Sequence, residues 1–212
     1  MKPGTSAQRI AIVDYGMGNL HSVRKKLDRI GVDVVVTSAP GDMARADKIV
    51  LPGVGHFGKA MENLTELGLA DALNEAVLVN RTPILGICLG MQLFANRSEE
   101  GGGPAGLGWI DAEVVRFRVP DTLRFKVPHM GWNGVAVAKS SPLLREAGPR
   151  TEFYFVHSYH VVCHDPADVL CHTDYAYRFT SMVERDNVFG VQFHPEKSHD
   201  AGEALLKNFV YL

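Results

Sequence analysis

Cysteine is scarce in this sequence: Cys88, Cys163 and Cys171 are the only three among 212 residues. No two of them have the spacing of a zinc site, and so few thiols cannot staple a disulfide scaffold. Residues 1–9 are polar and lack the apolar core of a signal peptide, which together with the odd cysteine count predicts reduced thiols and a cytoplasmic protein. Cys163 and Cys171 read as small hydrophobes packed in strands. Long apolar runs are missing as well. None approaches the roughly 18 residues that cross a bilayer, so no membrane segment is predicted. There is no surplus of positive charge either: the formal net charge is −2, whereas a nucleic-acid binder usually carries a basic stripe. No internal repeat is visible, and the one low-complexity stretch is the loop Gly101-Gly102-Gly103-Pro104.

What is present suits a globular domain. Hydrophobic residues make up 46% and charged residues 22% of the chain, both ordinary values. The length supports one substantial core rather than two. Residues 1–8 are expected to form a flexible lead-in and residues 9–212 a single domain.

The first half alternates strands and helices. Arg9–Asp14 is a short Ile/Val run bounded by glycines, as in a buried parallel strand. Leu20, Val23, Leu27 and Ile30 recur at helical spacing, and Gly31 stops that helix. Further strands are predicted at 32–37, 48–51 and 83–87, with helices at 56–66, 69–80 and 89–96. Such alternation implies right-handed crossovers and a mostly parallel sheet with helices on both faces. From Trp109 to Phe193 strand-like runs dominate, at 109–117, 134–138, 152–157, 169–173, 180–184 and 188–193. They predict antiparallel additions to the sheet or a small subsidiary sheet. A helix at 201–210 closes the chain.

Three segments at predicted strand ends carry chemistry. Gly86-Ile87-Cys88-Leu89-Gly90 has the pattern of a nucleophile elbow with Cys in place of Ser. Flanking residues without Cβ allow close helix–strand packing, and a helix N-terminus favours the thiolate. The Leu89 N–H is placed to serve an oxyanion. The plainer alternative is a buried Cys between tight-turn glycines. In His194-Pro195-Glu196 the outer pair leaves an extended chain on the same side, and Pro195 stiffens the segment. Glu196 can then orient His194 as the base for Cys88; the alternative is a surface His beside a Glu. Pro52-Gly53-Val54-Gly55 could present the N–H of Gly53 or Val54 as a second oxyanion donor, or could be an ordinary turn. Parallel-sheet active sites collect at the C-terminal edge of the strands, where all three segments fall. His157 and His160, three apart in a strand-like run, point to opposite faces. With no paired ligand motif beside them, no metal and no cofactor are predicted.

Taken together, Pro52–Gly55, Gly86–Gln92 and His194–Glu196 resemble the motifs of the class I (triad) glutamine amidotransferases. The segments Asp14–Leu20, Pro52–Gly58, Pro128–Asn133, Phe155–His160 and His194–Ser198 are similar to those of the branch that serves imidazole glycerol phosphate synthesis. The resemblance spans nearly the whole chain. It implies a flavodoxin-like, open, mostly parallel mixed sheet flanked by helices. It implies Cys88 as nucleophile, His194 as base and acid, Glu196 as orienter, and Gly53, Val54 and Leu89 at the oxyanion. Glutamine contacts would come from Gln92, Glu100, Ser158 and Tyr159. Tyr15, Asn19, Trp132, Asn133, Tyr154 and Lys197 match positions at or near a partner interface and ammonia exit. The implied partner is a (β/α)8-barrel cyclase subunit, with no nucleic acid and no membrane involved. Competing readings are a stand-alone cysteine peptidase or γ-glutamyl hydrolase, a glutaminase serving another synthase, and a regulatory subunit with a structural Cys88. The segments at 128–133 and 194–198 speak against the first two, and the assembled triad against the third.

Overall fold

The computed structural model describes residues 8–145, 148 and 151–212. Apart from Gln8, the expected lead-in lies outside the described residues. The chain opens with β1 (Arg9–Val13), α1 (Leu20–Ile30), β2 (Asp33–Thr37) and a one-turn α2 (Pro40–Met43). It continues through β3 (Lys48–Gly53), α3 (Phe57–Glu66), α4 (Leu69–Asn74), β4 (Ile84–Cys88) and α5 (Leu89–Gln92). The second half contains β5 (Arg97–Ser98), β6 (Ala112–Arg116), β7 (His129–Gly134), β8 (Ala136–Val137) and β9 (Glu152–His157). It ends with β10 (Tyr159–Cys163), β11 (Val169–Tyr175), β12 (Tyr177–Arg185), β13 (Val188–Val191) and α6 (His199–Val210).

Local chemistry explains the element ends. Asn19 caps α1 by accepting from the Ser22 N–H, and Gly31 ends it at φ 87°, a conformation glycine adopts at little cost. Val23 and Leu27 supply its buried stripe. The helix expected over 69–80 is divided: beyond α4 the backbone widens into a π-helical turn, Glu75–Val79. The Asn80 N–H bonds to the Glu75 carbonyl, which keeps Val77 inside and leaves Leu78 and Val79 exposed.

The main sheet runs β2-β1-β3-β4-β13-β12-β10-β6-β5, with β11 and β8 attached off this path. The strands β2, β1, β3, β4 and β13 are parallel. From β12 to β6 the pairing turns antiparallel. The architecture is thus the mixed, mostly parallel, helix-flanked sheet that the sequence implies. Alternate residues of the central strands feed two cores, one on each face. Ala11, Val13, Ile49 and Leu51 pack on one side with Phe57 and Phe94. Ile10, Ile12, Val50 and Leu85 pack on the other with Phe193 and Phe209.

Three expectations need correction. The strand-like runs expected between 109 and 193 omit one: His129–Gly134 forms β7, which pairs antiparallel with β9 in a separate two-stranded sheet. Apolar periodicity hides this strand, because its stabilising contacts are cross-strand aromatic pairs such as Trp132 with Tyr154, 6.1 Å between ring centroids. The helix expected over 89–96 stops at Gln92. Segment 106–110 caps its end, with the N–H groups of Leu107, Gly108 and Trp109 taking the carbonyls of Leu93, Ala95 and Phe94. Finally, the residues after His194 are not extended. Pro195–Lys197 forms a single 3-10 turn, closed by the Ser198 hydroxyl donating to the His194 carbonyl at 2.6 Å.

The insertion of β13 beside β4 is the step that builds a site. Its register pairs Val191 with Ile87, while β3 pairs Gly53 with Cys88. Chain segments a hundred residues apart therefore end side by side. α6 then locks the turn after β13, because a Cβ on Gly202 would overlap the Pro195 carbonyl group. Gly202→Ala should therefore cost about 1–3 kcal/mol of stability, read from the urea midpoint, and should also lower whatever activity depends on His194. Wild-type stability in this variant would mean that the helix–turn contact is not tight.

Candidate active site

Cys88 sits where β4 passes into α5, at φ 55° and ψ −108°. A non-glycine residue at this φ is strained and persists only when its surroundings enforce it. Two glycines do so here. A Cβ on Gly86 would lie 2.6 Å from the Phe94 ring and 2.7 Å from the Gly90 carbonyl. A Cβ on Gly90 would overlap the Leu51 carbonyl oxygen outright. Close approach of β3, β4 and α5 thus bends the chain so that the Cys88 sulfur reaches a cavity. Because α5 is a single turn, little helix dipole acts on that sulfur; neighbouring side chains must supply the polarity instead.

The His194 side chain reaches the same place from the end of β13. Its Nδ1 bonds Glu196 Oε1 at 2.8 Å, and both side chains are almost completely buried. Burial opposes the charged imidazole, but the Cys88 sulfur and the Glu196 carboxylate together outweigh it and raise the His194 pKa to about 9. The imidazole Nε2 and the second Glu196 oxygen are buried without a hydrogen bond among the described residues. One imidazole nitrogen is therefore oriented and the other left free, as a proton carrier between sulfur and substrate requires. From the same segment, the Gln192 Nε2 donates to Cys88 Sγ at 3.6 Å.

These groups open onto one cavity of about 370 Å³, toward the small end of small-molecule sites. Its lining includes Val54, Cys88, Leu89, Gln92, Glu100 and Tyr159. Among the described residues no three His, Cys, Asp or Glu side chains gather as metal ligands would.

The model of the family "Glutamine amidotransferase class-I" matches residues 11–212. The chain belongs to the class I glutamine amidotransferases. It is 49% identical over 201 residues to the imidazole glycerol phosphate synthase subunit HisH 2 of Methanococcus maripaludis, covering 95% of this chain and 98% of that one. It is 49% identical over 203 residues to the protein of the same name from Pseudomonas aeruginosa, covering 96% and 99%. In fold it resembles the solved structure of PurLQS from Thermotoga maritima, at TM-score 0.75 and 16% identity over 97% of this chain and 99% of that one. The solved structure of a glutamine amidotransferase from Thermotoga maritima is similar at TM-score 0.67 and 17% identity, over 97% of both chains.

Within this amidotransferase most, but not all, of the expected site residues meet at one cavity. Cys88, Leu89, Val54, Gln92, Glu100, Ser158, Tyr159, His194 and Lys197 line the one cavity, while Glu196 stands behind His194. Gly53 lies beneath it, opposite Cys88 on the neighbouring strand. Gln92 spends its Nε2 hydrogens on the Tyr159 carbonyl and on Gln192, each at 3.0 Å, so only its carbonyl oxygen remains for a ligand. Glu100 takes the Phe57 N–H at the start of α3, at 2.7 Å. Trp132, Asn133 and Tyr154 lie on the β7–β9 pair and are not among the residues lining the cavity. Trp132 stacks on His199 at 5.0 Å between ring centroids, and Lys197 Nζ lies over the Tyr154 ring at 5.8 Å. Asn19 caps α1. Tyr15 presents no surface: it is 1% exposed, its hydroxyl stands where a Gly53 Cβ would go, and burial pushes its pKa up.

Two members of the site escape the motif reading. Gln192 is completely buried against the sulfur; an amide inside the apolar run Val191-Gln192-Phe193 was the available signal. His157 lines the cavity because the chain breaks at Ser158 between β9 and β10, so the opposite-face rule for a continuous strand does not separate it cleanly from His160.

A folded-state value of about 9 against an ordinary 6.5 means that the His194 proton contributes its full stability below pH 6.5. That contribution is lost as pH rises through about 9. In Cys88→Ala the imidazole loses one of the two groups that favour its charged form, burial gains ground, and the His194 midpoint should fall. Imidazole nitrogen shifts followed by NMR titration check this; an unmoved midpoint would show that Glu196 alone holds the proton.

Proposed function

We propose that this chain is the glutamine-hydrolysing subunit of an imidazole glycerol phosphate synthase, with residues 9–212 acting as one amidotransferase domain. The single observation that carries the reading is the buried Cys88–His194–Glu196 constellation opening onto a cavity of amino-acid size. The near-full-length identity to synthase subunits supports the choice of reaction.

Cys88 attacks the side-chain amide carbon of glutamine. Backbone N–H groups around Gly53, Val54 and Leu89 receive the oxyanion. His194, holding its proton at neutral pH, donates it to the leaving nitrogen, and ammonia departs. A glutamyl thioester remains on the sulfur. His194 then takes a proton from water as the water attacks the thioester carbon, and collapse of the adduct expels the sulfur as thiolate and releases glutamate, restoring the starting state beside protonated His194. Glu196 keeps the imidazole in one tautomer throughout. Gln92, Glu100, Ser158 and Tyr159 hold the amino-acid end of the substrate.

Ammonia released into water at neutral pH becomes ammonium, which is no nucleophile, so it must pass under cover to its acceptor. The cover is a (β/α)8-barrel cyclase subunit that builds imidazole glycerol phosphate and an aminoimidazole carboxamide ribotide in histidine biosynthesis. Its seat is the rim around the cavity mouth, where Val54, Met130 and Trp132 are exposed at 41%, 62% and 46% beside Lys197. Such aromatic and Met anchors suit an interface. The three free thiols accord with a cytoplasmic setting.

In the complex with the cyclase, Cys88→Ala should reduce glutamine-dependent turnover about 10³-fold or more while ammonia-dependent turnover is kept. Loss of both rates, or of neither, in a coupled assay of cyclase product refutes the assignment.

A further inference from the structure

A polar chain runs through otherwise apolar packing from β7 to the catalytic sulfur. The Asn133 Nδ2 bonds the Asp174 carbonyl at 3.0 Å and His129 Nε2 at 3.3 Å. His129 Nδ1 meets His157 Nε2 at 3.1 Å, and His157 Nδ1 meets the Tyr159 carbonyl at 2.7 Å. The same carbonyl takes a hydrogen from Gln92 at 3.0 Å; the other Gln92 hydrogen goes to Gln192 Oε1 at 3.0 Å, and Gln192 Nε2 reaches Cys88 Sγ at 3.6 Å. His129, His157, Gln92 and Gln192 are 2%, 6%, 6% and 0% exposed.

The direction of every bond in this chain is forced. A carbonyl oxygen only accepts, so His157 carries its proton on Nδ1 and must accept at Nε2. His129 therefore donates from Nδ1 and accepts from Asn133 at Nε2. Burial keeps both rings neutral, lowering His129 to about 4 and His157 well below its ordinary value, so neither has a second proton with which to reverse the order. On the other side of the Tyr159 carbonyl, Gln92 must turn its NH2 inward. Gln192 then has to offer its oxygen to Gln92 and its NH2 to the sulfur. No other amide orientation satisfies all of these partners.

We propose that Gln192 is a positioning residue for the Cys88 thiolate, held in its donating orientation by Gln92 and the Tyr159 carbonyl, and that the His157–His129–Asn133 relay fixes that carbonyl from the β7 side. This deepens the glutaminase reading and rests on Cys88 being the nucleophile. An N–H donor on the sulfur favours its charged form and fixes the line of attack. It also replaces the support that a single-turn α5 is too short to give.

The test reads the thiol directly. Rates of Cys88 alkylation by iodoacetamide are followed against pH by mass spectrometry of the peptide, for the wild-type chain and for Gln192→Met, which keeps the volume and removes the donor. The other titratable groups facing Cys88 remain in the variant: Tyr15 from the end of β1, Glu100, His157 from β9, and His194, Glu196 and Lys197 beyond β13. The expected result is an alkylation profile moved up by about one pH unit, with about tenfold slower alkylation below its midpoint. In the cyclase complex, kcat for glutamine should fall about tenfold and KM much less. Gln92→Met, which leaves Gln192 present but unheld, should move the alkylation profile in the same direction by less, and covers the case in which Gln192→Met does not fold. An unmoved profile in a folded variant of either residue overturns the proposal. Because alkylation needs neither glutamine nor the cyclase, that failure is separable from failure of the glutaminase reading, which the Cys88→Ala assay decides.

Discussion

Everything at the active site depends on how closely Gly90 approaches the Leu51 carbonyl. There is no room for a Cβ between them. That contact presses the start of α5 onto β3 and leaves Cys88 no ordinary backbone conformation, so it takes a positive φ. A relaxed chain at residue 88 would bury the sulfur in the sheet or turn it away from β13. Strain of this kind costs on the order of 1–3 kcal/mol, and the two apolar cores on either side of the sheet supply the stability that offsets it. The reactive geometry is therefore a property of the packed sheet rather than of the five-residue motif by itself.

Electrostatics follows from this packing. The sulfur, the imidazole and the carboxylate are held together out of water, where an isolated charge would be costly. Burial alone would discharge His194, as it discharges His129 and His157. Only the neighbouring Cys88 and Glu196 distinguish His194 from those rings and let it keep a proton at neutral pH. Three histidines in similar apolar surroundings thus differ in charge: His194 keeps its proton, while His129 and His157 stay neutral and each offers a single, fixed donor.

Much of this was legible before any coordinates. Apolar Ile/Val runs gave β1, β3 and β4 to within two residues, and Gly31 ends a helix whose buried stripe is the apolar spacing read from Val23 and Leu27, whereas the Asn19 cap at its start went unread. The elbow was legible only as one of two readings of Cys88 between glycines; the close packing of Gly86 and Gly90 against Phe94 and Leu51 decides for the sharp turn. Strand β7 was not, since its stability comes from pairing with β9 and from rings that touch across strands, and neither leaves a period in the sequence. The extended geometry assigned to His194–Glu196 failed for a related reason. Proline at 195 fits the first position of a 3-10 turn as well as it fits a strand, and Gly202 on α6 decides between them. Gln192 went unassigned because an amide declares no function until its neighbours are known.

The order of strands also sets when the chain can acquire its reactivity. The edge of β4 that receives β13 must wait for residues 188–191, and His194 follows only after them, with α6 still to come. During synthesis the N-terminal parallel strands can assemble early, yet the thiol then has no proton carrier and an unpaired strand beside it. Such an edge is a place for wrong pairing until residues 188–191 have emerged to cover it. A chain that stops short of His194 therefore presents the sulfur on β4 without the imidazole beside it.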